Sequence, residues 1–131
     1  MLISAIGWGG NPRACLTLVG AGQVTLCVTT EVWAEYEHRI PEVLGAKRPG
    51  VDASPTLDWL LSRVRFVEPA PLGKQRSRDL KDDRYIACAL GAGAQAVVTS
   101  DRDLLVLKKP FGVAILTPVE FLKLIRCRSG F

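Results

Sequence analysis

Histidine is almost missing from this chain of 131 residues: His38 is the only one. Its scarcity removes the commonest donor of zinc sites and the usual base of nucleophile–base pairs. Cysteine is present four times, as Cys15, Cys27, Cys88 and Cys127, but never in a Cys-x-x-Cys spacing. Zinc ligation therefore has little support, and buried, reduced thiols are expected instead. No apolar run nears the ~20 residues of a membrane span. Met1-Leu2-Ile3-Ser4-Ala5-Ile6 runs straight into Gly7 and Trp8 without a charged-then-apolar leader. Neither export nor membrane insertion is expected, and a cytoplasmic protein is the default. Repeats and low-complexity segments are lacking as well. Gly7-Trp8-Gly9-Gly10 has no strand before it and no Lys-Ser/Thr after it, which excludes a phosphate-cradling glycine loop. Gly91-Ala92-Gly93 falls at a helix end, where glycine serves as a C-cap.

What is present is apolar material, 48% of the residues, enough for one core and one domain over 1–131. Asn11-Pro12 reads as an N-cap with proline at the first helical position, opening a helix to about Ala21. Val24-Thr25-Leu26-Cys27-Val28 is a short β-branched run and reads as a strand. Thr29-Thr30-Glu31 supplies hydroxyl caps and an early acid to a helix with Val32, Trp33, Tyr36 and Ile40 as its stripe. Pro41 marks the end of that helix, and a loop follows to Pro55. A helix with Leu57, Leu60, Leu61 and Val64 inward comes next, then strand 65–67 and a polar, basic loop to about Lys81. Beyond a helix carrying Asp82 and Asp83 come strand 96–98, a short helix from Arg102, strand 113–116 and a helix from Thr117-Pro118. Strands alternating with helices imply βαβ units: an α/β fold whose parallel sheet is covered on both faces.

Acids gather at the ends of these elements. Asp83 precedes Ile86, Ala87 and Leu90 by three, four and seven residues, so its carboxylate shares the helical stripe that meets the core. A charge there is costly without a partner or a cation. Helix-dipole stabilisation explains Asp82 well and Asp83 less well. Asp101 and Asp103 follow the apolar run Ala96-Val97-Val98, at the carboxyl end of a strand, where open α/β sheets bind ligands. Capping alone needs one acceptor, and Ser100-Asp101-Arg102-Asp103 offers three. Glu35 also follows a strand's carboxyl end, although an i,i+4 pair with Arg39 would account for it. Converging carboxylates suit a hard cation, Mg²⁺ or Mn²⁺, and metal ions held in this way cleave phosphodiesters. The formal charge is +4, with Lys74, Arg76, Arg78 and Lys81 before the acidic pair and Lys123, Arg126 and Arg128 near the end. Such a basic rim suits a phosphodiester backbone, and equally an ordinary solvated surface.

Five pieces resemble PIN domains of VapC-like toxins and related nucleases, in that family's order. They are Leu2–Ala5, Thr25–Tyr36, Asp82–Ala87, Val97–Leu104 and Ile115–Leu122. The resemblance implies a Rossmann-like three-layer α/β/α sandwich and Mg²⁺- or Mn²⁺-dependent endoribonuclease activity on RNA, often under an antitoxin partner. By position it makes Glu35, Asp83 and Asp101 the acidic catalytic and metal-binding residues, with Asp103 a further ligand and Thr99 and Asp82 in support. Family members open with a strand ending in Asp-Thr-Asn ahead of the stretch matched by Leu2–Ala5. The resemblance therefore implies that the first, central strand and its leading aspartate are missing here. Two explanations follow: a misassigned start at Met1, or an inactive homologue that binds RNA or protein without cleaving. A second copy of the chain could complete such a sheet as a homodimer.

Overall fold

The structure is a computed structural model and describes residues 7, 9–72, 83–107 and 112–128. Its elements run α1 (Gly10–Gly20), β1 (Cys27–Val28), α2 (Thr30–Lys47), α3 (Ser54–Leu61) and β2 (Arg65–Phe66). They continue as α4 (Asp83–Ala92), β3 (Ala96–Val98), α5 (Arg102–Leu105), β4 (Ala114–Leu116) and α6 (Pro118–Arg128). The expected alternation of strands and helices is present, in the expected order. The Leu2–Ala5 match, Asp82 and the basic group Lys74, Arg76, Arg78 and Lys81 lie outside the described residues.

Every described strand pairing is parallel: β1 with β2, and β3 with β4. The described strands form two separate pairs rather than one continuous sheet. Backbone alternation shows why. The carbonyls of Leu26 and Val28 accept from Arg65 and Val67 N–H at 2.9 and 2.8 Å, so those residues face β2 and Cys27 faces the opposite way. Likewise Gln95 and Thr99 bond to Ala114 and Leu116 of the other pair, which turns the polar backbone of Ala96 and Val98 away from β4. Among the described residues no strand lies on those two inner edges.

Helix α4 joins the two halves. Cys88 belongs to a core built from Val28, Val32, Ile40, Leu44 and Leu60, whereas Ile86 belongs to a second core with Leu104 and Ile115. Tyr85 packs on the fringe of both. The helix thus carries one apolar face toward each strand pair, which a single stripe of i, i+3, i+4 residues would not achieve.

Several local expectations are corrected. The N-cap of α1 is Gly9, at φ 91°, and Asn11 sits within the helix. Strand β1 is confined to two residues. Pro41 does not end α2, which continues to Lys47. The proline forfeits one backbone hydrogen bond, but the turn beyond it buries Leu44 to 1% exposure, and that packing outweighs the loss. Cys127 is exposed, although Cys15 and Cys88 are buried and all four thiols are free. Burial pushes the Cys15 and Cys88 thiols up, partly offset by backbone hydrogen bonds. The cap expected at Thr29 does form: its hydroxyl accepts from Val32 N–H at 3.1 Å. Thr117 and Glu120 cap α6 reciprocally, and the bonds from Thr117 hold the Glu120 carboxyl below its usual range.

Gly91 serves packing rather than the C-cap, which falls to Gly93 at φ 65°. A Cβ on Gly91 would run into the Glu68 carbonyl oxygen, and Ala70 N lies 3.2 Å from the same point. The incoming chain is tied here by Ala70 N–H donating to the Ala87 carbonyl at 3.0 Å. Gly91→Ala should therefore destabilise the protein by about 1–3 kcal/mol, as overpacking does. Gly45→Ala, with nothing within 4 Å of the new methyl in α2, should stabilise by roughly 0.5–1 kcal/mol. Urea unfolding of both variants checks the pair, and equal effects of one sign would refute the packing role.

Candidate active site

The site begins where β1 gives way to α2. Capping by Thr29 starts the helix one residue after the strand, so Glu35 falls on its second turn. One Glu35 oxygen, Oε2, accepts from the Tyr85 hydroxyl at 3.1 Å. The two residues come from α2 and α4, fifty positions apart. Tyr36, next along α2, stacks at a tilt on Tyr85 with ring centroids 6.3 Å apart and meets Trp33 edge-on at 6.2 Å. Burial pushes the Tyr36 phenol well above its ordinary range, with the nearby Cys88 and Glu35 charges adding to the shift. Among the described residues Glu35 forms no ion pair with Arg39, so the simpler explanation of Glu35 does not hold.

The other half begins where β3 ends. Thr99 is 8% exposed, and its N–H donates to Leu116 of β4 at 2.8 Å. Its hydroxyl accepts from Asp101 N–H at 3.0 Å. Asp101 then caps α5: its Oδ1 accepts from Asp103 N–H at 2.9 Å. The capping role weighed for this stretch is thus real, and it occupies one of the two Asp101 oxygens.

Both halves open on one cavity of about 1060 Å³, whose walls include Glu35, Tyr85, Thr99 and Asp101. The inner edges of β1 and β3 bound it as well. Asp83, the first residue of α4, is 7% exposed, which fits its place on the apolar stripe. Neither Asp83 nor Asp103 forms part of the cavity wall. The neighbouring Arg84 reaches Glu31 at 3.7 Å, an exposed ion pair that contributes little. Lys123 and Arg126 are exposed on α6, outside the cavity.

Mg²⁺ is commonly held by one or two carboxylates, with water and substrate phosphate completing its shell. Glu35 and Asp101 supply oxygen donors of that kind on one cavity. Among the described residues no group of three or more His, Cys, Asp or Glu is placed to hold a metal ion. Two carboxylates on one wall, with no third such donor grouped with them among the described residues, do not make a closed metal cage. Tyr85 is the member that sequence reasoning missed. It stands beside the acidic pair, but only the tertiary contact with Glu35 reveals its part.

Parallel strand pairs alternating with helices define an α/β protein. The sequence model of the PIN domain matches residues 2–103, and the chain belongs to that family. No curated protein and no solved structure matches it. No described helix is long and apolar enough to cross a membrane.

Capping and site roles of Asp101 separate by substitution. Asp101→Ala should cost about 1 kcal/mol through loss of the cap, whereas Asn caps as well as Asp and should be neutral in stability. Equilibrium unfolding in urea measures both. A destabilised Asp101→Asn would mean that the charge itself holds the fold.

Proposed function

We propose that this chain is a single-domain, cytoplasmic endoribonuclease that depends on Mg²⁺ or Mn²⁺. The reading is carried by one observation: Glu35 and Asp101, remote in sequence and each just past a parallel strand, line the same cavity. Membership of the PIN family supports the nuclease class, and divalent ions are general in that family. In this reading Glu35 and Asp101 hold the ion, and Asp83 and Asp103 add negative charge around it. Thr99 fixes the loop that presents Asp101, and Asp82 is a supporting residue. A divalent ion bound there supplies Lewis-acid catalysis of phosphodiester hydrolysis. The chain's own residues orient the carboxylates and leave the cavity open to an extended RNA strand. The toxin half of a toxin–antitoxin pair is the proposed setting, with an antitoxin protein as partner and a second copy of the chain as a further one.

A binding module without catalysis is the second reading. It is favoured by Asp101 already spending Oδ1 on its cap and by Asp83 standing off the cavity wall.

Incubation of the full chain with a fluorescent single-stranded RNA and Mn²⁺ tests the choice. Cleavage should occur, stop on chelation, and fall by more than about 10-fold in each of Glu35→Gln, Asp83→Asn and Asp101→Asn, the least that disturbing a metal's ligand environment usually costs. RNA retention without cleavage would instead establish the binding module. Cleavage unchanged in the three variants would place the chemistry elsewhere.

A further inference from the structure

Tyr85 is placed to do more than pack. Its hydroxyl donates to Glu35 Oε2 at 3.1 Å, while its ring leans on Tyr36 and touches both apolar cores. We infer that Tyr85 is a positioning residue, which holds the Glu35 carboxylate so that its other oxygen faces the cavity that Asp101 also lines. The inference rests on the proposed metal-dependent reading of that cavity.

The physical case has three parts. Glu35 sits on α2, an element of the first strand pair, and its long side chain has several rotamers to choose among. A single hydrogen bond from a donor on another helix removes most of that freedom, and bonds to charged acceptors are the stronger kind. The donor is itself held by packing: Tyr85 lies in the first turn of α4, half-buried against the fringe of both cores. Because α4 packs on both strand pairs, the bond also fixes Glu35 relative to the β3 end that carries Asp101. Partners that orient a ligating side chain typically set metal affinity by 10–100-fold without touching the metal.

Tyr85→Phe isolates the hydroxyl, since the ring stays in both cores. Three measurements on the full chain test its role: the Glu35 side-chain carboxyl ¹³C resonance without metal, thermal midpoint, and Mn²⁺ affinity from water-proton relaxation. The resonance should move in Tyr85→Phe, and Mn²⁺ affinity should fall about 10-fold at a nearly unchanged midpoint. In a Glu35→Gln background the same substitution should cost no further affinity, because its effect runs through Glu35. Three results would overturn the inference: an unmoved resonance, an unchanged Mn²⁺ affinity, or an equal loss in both backgrounds. Failure of the unmodified protein to bind Mn²⁺ is a separate outcome. It defeats the metal reading, and the positioning role with it, even where the Glu35 resonance moves.

Discussion

Two apolar cores have to be served by one helix, and the rest of the arrangement follows from how α4 meets that demand. Ile86, fully buried, closes the core of the β3–β4 half, while Cys88, two residues on, enters the core of the β1–β2 half. Two positions apart on a helix point roughly 200° apart, so neither side chain could serve both. The helix therefore lies between the strand pairs rather than over one of them. Tyr85 on one side and Gly91 on the other show how closely it is held.

That placement produces the cavity. Each strand pair spends the backbone of alternate residues on its partner and turns Cys27, Ala96 and Val98 the other way. Among the described residues the Cys88 thiol, a weak donor, meets the Cys27 carbonyl at 3.5 Å. A two-stranded sheet has marginal stability by itself, so α4 and the helices that follow each strand carry much of the order. The acids enter through the same geometry. Chain leaving a parallel strand at its carboxyl end must turn into a helix, and the turns after β1 and β3 present Glu35 and Asp101 to one space.

The fold was largely legible because its signals are local. β-branched runs, hydroxyl caps and apolar spacing located nearly every element within a few residues, and strand 96–98 to the residue. The misses have a common cause in tertiary packing. Pro41 would end an isolated helix, yet burial of Leu44 carries α2 past it. Cys127 was expected to be buried like the other thiols, but it is exposed on α6, between two arginines in sequence. Gly91 looks like a cap and is a packing site, since its neighbour Glu68 arrives from a distant stretch of chain. Of the acids, the burial of Asp83 was readable from its helical stripe and the place of Asp101 just past a strand from the apolar run before it. The Tyr85–Glu35 bond was not, because nothing within either segment reports the other.

The joint presentation of Glu35 and Asp101 is what the functional reading needs, and Mn²⁺ can report on it directly. Substoichiometric Mn²⁺ added to isotopically labelled protein broadens amide resonances near any bound ion. Simultaneous broadening around residue 35 and across 99–101, with the far face of α6 untouched, is the expected pattern. Broadening at only one of the two strand ends, or at neither, would contradict a shared cation site.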